Sequence, residues 1–154
     1  MTKQKNPATA VLPRVEDFVL EMPEGIAGWV LPEVQQSTRE QVKEHDLQED
    51  MMWMECEQGH TLGEYFDILT HTHRIRRCLN VDEGRILINN NALASPFFEG
   101  KQIVLWRSVG HDHAGNYLVP IIQNITGQQP LMYWHYCRYP LSRRHATYTF
   151  RGHM

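Results

Sequence analysis

Nowhere does this chain run apolar for the roughly 18 residues that a membrane-crossing helix needs, so no such helix is expected. Cysteine is scarce, and Cys56, Cys78 and Cys137 are too widely spaced for a Cys-x-x-Cys knuckle and too few for a disulfide framework. The opening residues 1–14 carry basic side chains without the apolar run of a secretory signal. Together these absences predict a reducing compartment, the cytoplasm, and make the Asn124-Ile125-Thr126 sequon a coincidence. The catalytic signatures are missing too: no Gly-x-Ser-x-Gly elbow, no phosphate loop and no dinucleotide fingerprint. Asp82 and Glu83 are adjacent, which puts them on different faces rather than in a working carboxylate pair.

What the chain does have is an uneven charge distribution. Its 154 residues carry a net charge of −3, with 42% apolar and 21% charged side chains, as in an ordinary soluble domain. Residues 1–60 hold 5 Lys/Arg against 12 Asp/Glu, whereas residues 61–154 hold 10 against 6. An acidic first part joined to a basic remainder is a pattern of proteins that contact nucleic acid or an acidic partner.

The periodicities predict a flexible tail over 1–13 and one α+β domain over 14–154, with an acidic helical part (14–60) and a basic part (61–154). VEDFVLEM alternates like a strand. Ser37 and Glu40 have capping-box spacing, which predicts a helix running on through Met51-Met52-Trp53-Met54. Thr61 and Glu64 repeat that spacing before a helical stripe of Leu62, Tyr65, Phe66 and Leu69. RILIN, QIVLWRSV, YLVPIIQNI, LMYWHYCRY and HATYTF are the predicted strands, with Pro120 marking an edge or a bulge because it cannot donate to a ladder. The expected fold is therefore N-terminal helices packed on an antiparallel β-meander.

Nine histidines raise the question of metal. His71 and His73 are two apart on a helix and point about 200° away from each other. His111 and His113 belong to a polar hairpin loop, where a third ligand such as His135 has no defining spacing. No metal or cofactor is expected. Cys137 beside His135 could lower a thiol pKa, but a cysteine among aromatic residues is more commonly buried.

Segment 73–90, HRIRRCLNVDEGRILINN, concentrates arginine around an apolar pattern. Taken with its flanks (61–107), it resembles the alpha-L RNA-binding domain of a small-subunit ribosomal protein (type four), some pseudouridine synthases and tyrosyl-tRNA synthetases. The matching positions are Leu62, Tyr65, Phe66 and Leu69 in a first helix and Arg74 opening a second. Val81 and Gly84 precede a strand in which Ile86, Ile88 and Asn89 fill a Val-x-Val-Asn pattern, and Gly100 with Ile103 closes the unit. Arg77, Asn90 and Lys101 depart from the family pattern. The resemblance implies RNA binding through the arginines of the second helix.

The expectation is a non-enzymatic RNA-binding protein with no catalytic residue. Its principal patch would be Arg74, Arg76, Arg77 and Arg85, extended by Lys101, Arg138, Arg143 and Arg144. The rings interleaved near the C-terminus (Tyr133, Trp134, Tyr136, Tyr139, Tyr148, Phe150) add base-stacking chemistry. Two other functions fit the sequence. One is an adaptor or inhibitor that engages a protein partner through Met51–Met54. The other is a small-molecule binder or enzyme whose curved sheet encloses a pocket at Trp106, Tyr133 and His135.

Overall fold

The computed structural model describes residues 22–36, 51–89 and 91–150. The predicted tail (1–13), nearly all of VEDFVLEM and the Ser37–Glu40 capping box lie outside them. Among the described residues seven strands form the sheet: β1 (Gly28–Trp29), β2 (Met51–Glu55), β3 (Gln102–Val104), β4 (Gly110–His111), β5 (Tyr117–Gln123), β6 (Leu131–Tyr136) and β7 (His145–Phe150). The helices among the described residues are α1 (Pro32–Gln36), α2 (Leu62–His71) and α3 (Val81–Asn89), with 3₁₀ turns at Arg74–Arg77, Ala92–Ala94 and Trp106–Ser108.

The spatial order is β1-β4-β5-β3-β7-β2, with β6 on the other side of β5, and the sheet curls into a half-barrel. This corrects the expected meander of antiparallel strands under N-terminal helices. β7 lies between β3 and β2, antiparallel to β2 but parallel to β3. The chain reaches it by a crossover over 137–144, which packs against the start of α2: Gly63 donates to the Cys137 carbonyl at 2.8 Å and Leu62 to the Tyr139 carbonyl at 2.9 Å. The helices occur between strands, and they cover both faces. Ile86 and Leu87 of α3 pack with Ile103, Leu105, Ile122, Ala146 and Tyr148. On the other side Leu62, Tyr65, Phe66 and Leu69 of α2 pack with Val104, Val119 and Ile121. Strand alternation makes this division, since Ile103 and Val104 point to opposite faces.

Two local expectations change. Met51–Glu55 is an edge strand, not the end of a helix: Met51 sits opposite Phe150 in the core, whereas Met52 and Trp53 remain exposed. RILIN is the C-terminal part of α3, not a strand, and the second helix expected to open at Arg74 is a 3₁₀ turn followed by extended Cys78. The helix is set by its N-terminus. Asn80 accepts from the Glu83 amide at 3.0 Å, and Glu83 accepts from the Asn80 amide at 2.8 Å, a reciprocal box that satisfies two backbone donors. Gly84 faces the core, where an added Cβ would stand 2.7 Å from Leu105 Cδ1. Glycine there lets α3 approach the sheet closely.

Thr61 and Glu64 form the expected capping box at the start of α2, with bonds of 3.1 and 2.8 Å. Pro120 lies in the interior of the sheet, bonded through its carbonyl to the Leu105 amide at 2.9 Å and opposite Trp134 of β6. In an antiparallel strand the N and O of one residue point the same way, so its missing N–H would face the β3–β4 side. There the Trp106–Ser108 turn interrupts the ladder, and the Leu105 carbonyl accepts from the Ser108 amide at 3.0 Å instead.

Candidate functional site

Three regions carry polar or aromatic chemistry, and they differ in what they leave accessible. The first is the buried cluster at the start of α3. Arg107 and Glu83 have fully buried side chains, with Arg107 Nη1 3.6 Å from Glu83 Oε1. Arg107 also donates through Nε to the Val34 carbonyl at 3.0 Å, through Nη2 to the same oxygen, and through Nη1 to the Cys78 carbonyl at 3.4 Å. Burial pulls the arginine pKa below its ordinary range, and the Glu83 carboxylate opposes that. Ser108 accepts from the Val81 amide at 2.7 Å. This cluster ties α1, the Cys78 segment and α3 together. Its groups bond one another rather than face solvent.

The second region is an open cleft of about 280 Å³ between residues 91–99 and the β5–β6 loop. Its wall is braced by Asn124, whose amide donates to the Leu93 and Phe98 carbonyls at 2.9 and 2.7 Å. The same bonds bury the sequon asparagine and remove it as a glycan acceptor in the folded protein. Of the residues expected to line a pocket, Tyr133 and His135 are half-buried, whereas Trp106 is fully buried and donates its indole N–H to Thr147 at 2.9 Å.

The third region is the rim where β6 ends and the crossover to β7 begins. Alternation along β6 sends Trp134 and Tyr136 to one face and Tyr133 and His135 to the other. The His135 ring lies 6.0 Å from Tyr133 and 5.0 Å from Tyr139. Exposed Arg138 joins the two sets, its guanidinium 4.5 Å from the Tyr136 ring and 5.2 Å from the Tyr139 ring. Across the curl, Trp29 of β1 meets Trp134 at 6.1 Å with the rings tilted by 30°. Further along the crossover Arg143 and Arg144 are exposed. None of these three arginines has an ion-pair partner among the described residues.

The arginines and lysine singled out in the sequence stand on several elements, with Lys101 next to Gln102, whose amide donates to the Arg144 carbonyl at 2.9 Å. Arg74 and Arg77 share a side of the 3₁₀ turn, where residues three apart eclipse, and Arg74 donates to the Thr72 hydroxyl at 3.0 Å. Arg76 and Arg77 are exposed. That turn leads into Cys78, which bridges to Thr149 near the end of β7, whereas Arg143 and Arg144 precede its first residue, His145. Four residue steps of strand run from His145 to Thr149, about 13 Å of backbone. Arg85 projects from α3 and pairs with Asp82 at 2.8 Å. Lys101 lies over the Trp53 ring at 4.0 Å, so the exposed part of the Met51–Met54 run is partly covered by a cation.

The remaining candidates settle simply. His113 is exposed and His111 half-buried, its ring against Gly28, and no group of three His, Cys, Asp or Glu side chains among the described residues could hold a metal. Asp112 organises the loop by accepting from the Ala114 and Asn116 amides at 2.9 and 2.8 Å, and the Asn116 bonds hold its carboxyl below the usual range. Burial pushes the Cys137 thiol up to about 12, far from the thiolate that a nucleophile requires. No helix among the described residues is long and apolar enough to cross a membrane. No protein-family model, curated protein or solved structure matches the chain.

Proposed function

We propose that the chain is a non-enzymatic, cytoplasmic RNA-binding protein whose contact surface is the rim formed by the end of β6 and the crossover to β7. The observation that carries this reading is Arg138 stacked in the open against Tyr136 and Tyr139, in a segment that also presents Arg143 and Arg144. Rings offer faces on which bases stack, and guanidinium groups neutralise phosphate. Single-stranded RNA uses both together. Charge supports the same reading: residues 101–150 contain one acid, Asp112, and four bases besides buried Arg107. Arg74 and Arg77 form a second cationic point about one strand length away, which lengthens the track a strand can follow.

The test is fluorescence anisotropy of labelled single-stranded RNA titrated with the full chain at rising salt. Affinity should fall steeply with salt, with a slope that reports the phosphates neutralised. Combined charge reversal of Arg138, Arg143 and Arg144 should abolish binding, while reversal of Arg74 and Arg77 should reduce the slope by about two. Salt-insensitive retention, or no retention at low salt, overturns the proposal.

A further inference from the structure

Trp29 and Trp134 come together in a way the chain order does not foresee. They stand on β1 and β6, which are separated by β4 and β5. At about 4.8 Å per strand their backbones are about 14 Å apart across a flat sheet. The ring centroids are nevertheless 6.1 Å apart. Side chains converge like this on the concave side of a curled sheet, and Gly110 of β4 keeps the floor between them low. An added Cβ there would stand 2.7 Å from Ile26 Cγ2 and 3.7 Å from the Trp134 ring. Both tryptophans are only half-buried. Tyr136, two residues beyond Trp134 on the same face, continues the row, and Arg138 stands over its ring.

We infer that the Trp29–Trp134 pair is a stacking seat for one unpaired nucleobase of a single-stranded nucleic acid, with Arg138 receiving the phosphate of the neighbouring nucleotide. The inference rests on the RNA-binding reading and names the form of nucleic acid that the surface takes. Four features select it. Two indoles on a concave wall supply apolar faces for a planar ring, and stacking on such rings is tolerant of sequence. The two rings stand 6.1 Å apart, a span on the scale of one base rather than of a paired helix. A base within a duplex also has both faces covered by its neighbours, so only an unpaired one can stack on the tryptophans. The guanidinium beside the row supplies the complementary charge.

The experiment compares four probes on the full chain: single-stranded oligoadenylate, an abasic strand of equal length, duplex RNA and uncharged adenosine. Oligoadenylate should bind about tenfold or more tighter than the abasic strand, as expected for one stacked base, and should also outcompete the duplex. Trp134→Ala should lower oligoadenylate to the abasic level, whereas Trp134→Phe, which keeps a ring in the same place, should retain most of the affinity. Adenosine should quench tryptophan emission in the wild type but not in Trp29→Ala. Equal, salt-sensitive binding of the oligoadenylate and abasic strands overturns the seat and leaves the RNA-binding reading standing. If no strand binds at all, the RNA-binding reading fails and the seat that rests on it falls with it.

Discussion

Arg107 and Arg138 are the same residue type put to opposite uses. Arg107 is sealed under α3, where every contact described is with the protein itself: Glu83, the Val34 carbonyl and the Cys78 carbonyl. Arg138 lies on the rim with its guanidinium against two tyrosine rings and the rest in water. Desolvation makes the first arginine expensive to bury and costly to disturb, because removing it leaves a carboxylate in the interior. Solvent screening makes the second nearly irrelevant to stability and therefore available for a ligand. Charge in a sequence thus has two meanings, which burial separates.

The comparison breaks most visibly at Arg107. Arg107→Ala should cost about 3–5 kcal/mol in chemical denaturation, the range for stripping one partner from a buried ion pair. Arg107→Ala combined with Glu83→Gln should recover part of that loss, because the orphaned charge is gone. A double variant as unstable as the single one would show that the carbonyl bonds to Val34 and Cys78, rather than the ion pair, hold the cluster.

A smaller effect is expected at His145, where the buried cluster's logic recurs beneath the basic crossover. Its Nδ1 accepts from the Ser142 amide at 2.8 Å, which requires the neutral imidazole. Burial, with a contribution from His135, pulls its pKa from 6.5 to about 4. The unfolded chain therefore takes up the proton first. The stability this histidine contributes is complete above about pH 6.5 and is lost as the pH falls toward 4. Denaturation midpoints measured across that window should decline more steeply for the wild type than for His145→Gln, which does not titrate. Identical slopes would mean that the histidine is exposed in solution.

The smallest effect on stability should come from the rim. Arg138→Ala, Arg143→Ala and Arg144→Ala are each expected to stay within about 0.5 kcal/mol of the wild type. A larger loss at Arg138 would assign its ring contacts to folding rather than to recognition, and would weaken the contrast with Arg107.

Helix α2 and the strands β5 and β7 were legible because their signals are local. Thr61 and Glu64 satisfy each other's backbone, and Leu62, Tyr65, Phe66 and Leu69 recur on one helical face whatever lies beyond. RILIN was misread because its isoleucines have β-branched preference, while the Asn80–Glu83 box that starts the helix lay upstream. Propensity yields when the cap and a buried face agree. MMWME was misread for the opposite reason: the capping-box spacing at Ser37 and Glu40 suggested one long helix, yet the alternation of buried Met51 with exposed Met52 belongs to an edge strand paired with β7. That partner lies about a hundred residues later in the chain, beyond any local pattern.

Of the candidate site, the ring and arginine residues near the C-terminus were visible as composition, but their grouping was not. The sequence by itself determined which segments could cap, alternate or stack, because these depend on neighbours within a turn or a strand. It also determined that basic charge falls late in the chain. Only the tertiary structure decided that Arg107 is interior while Arg138 is exposed. The same is true of the separation of Arg74 and Arg77 from Arg143 and Arg144, and of the meeting of Trp29 with Trp134. Each depends on strand order and curl, which arise from contacts between residues remote in sequence, and no local periodicity encodes them.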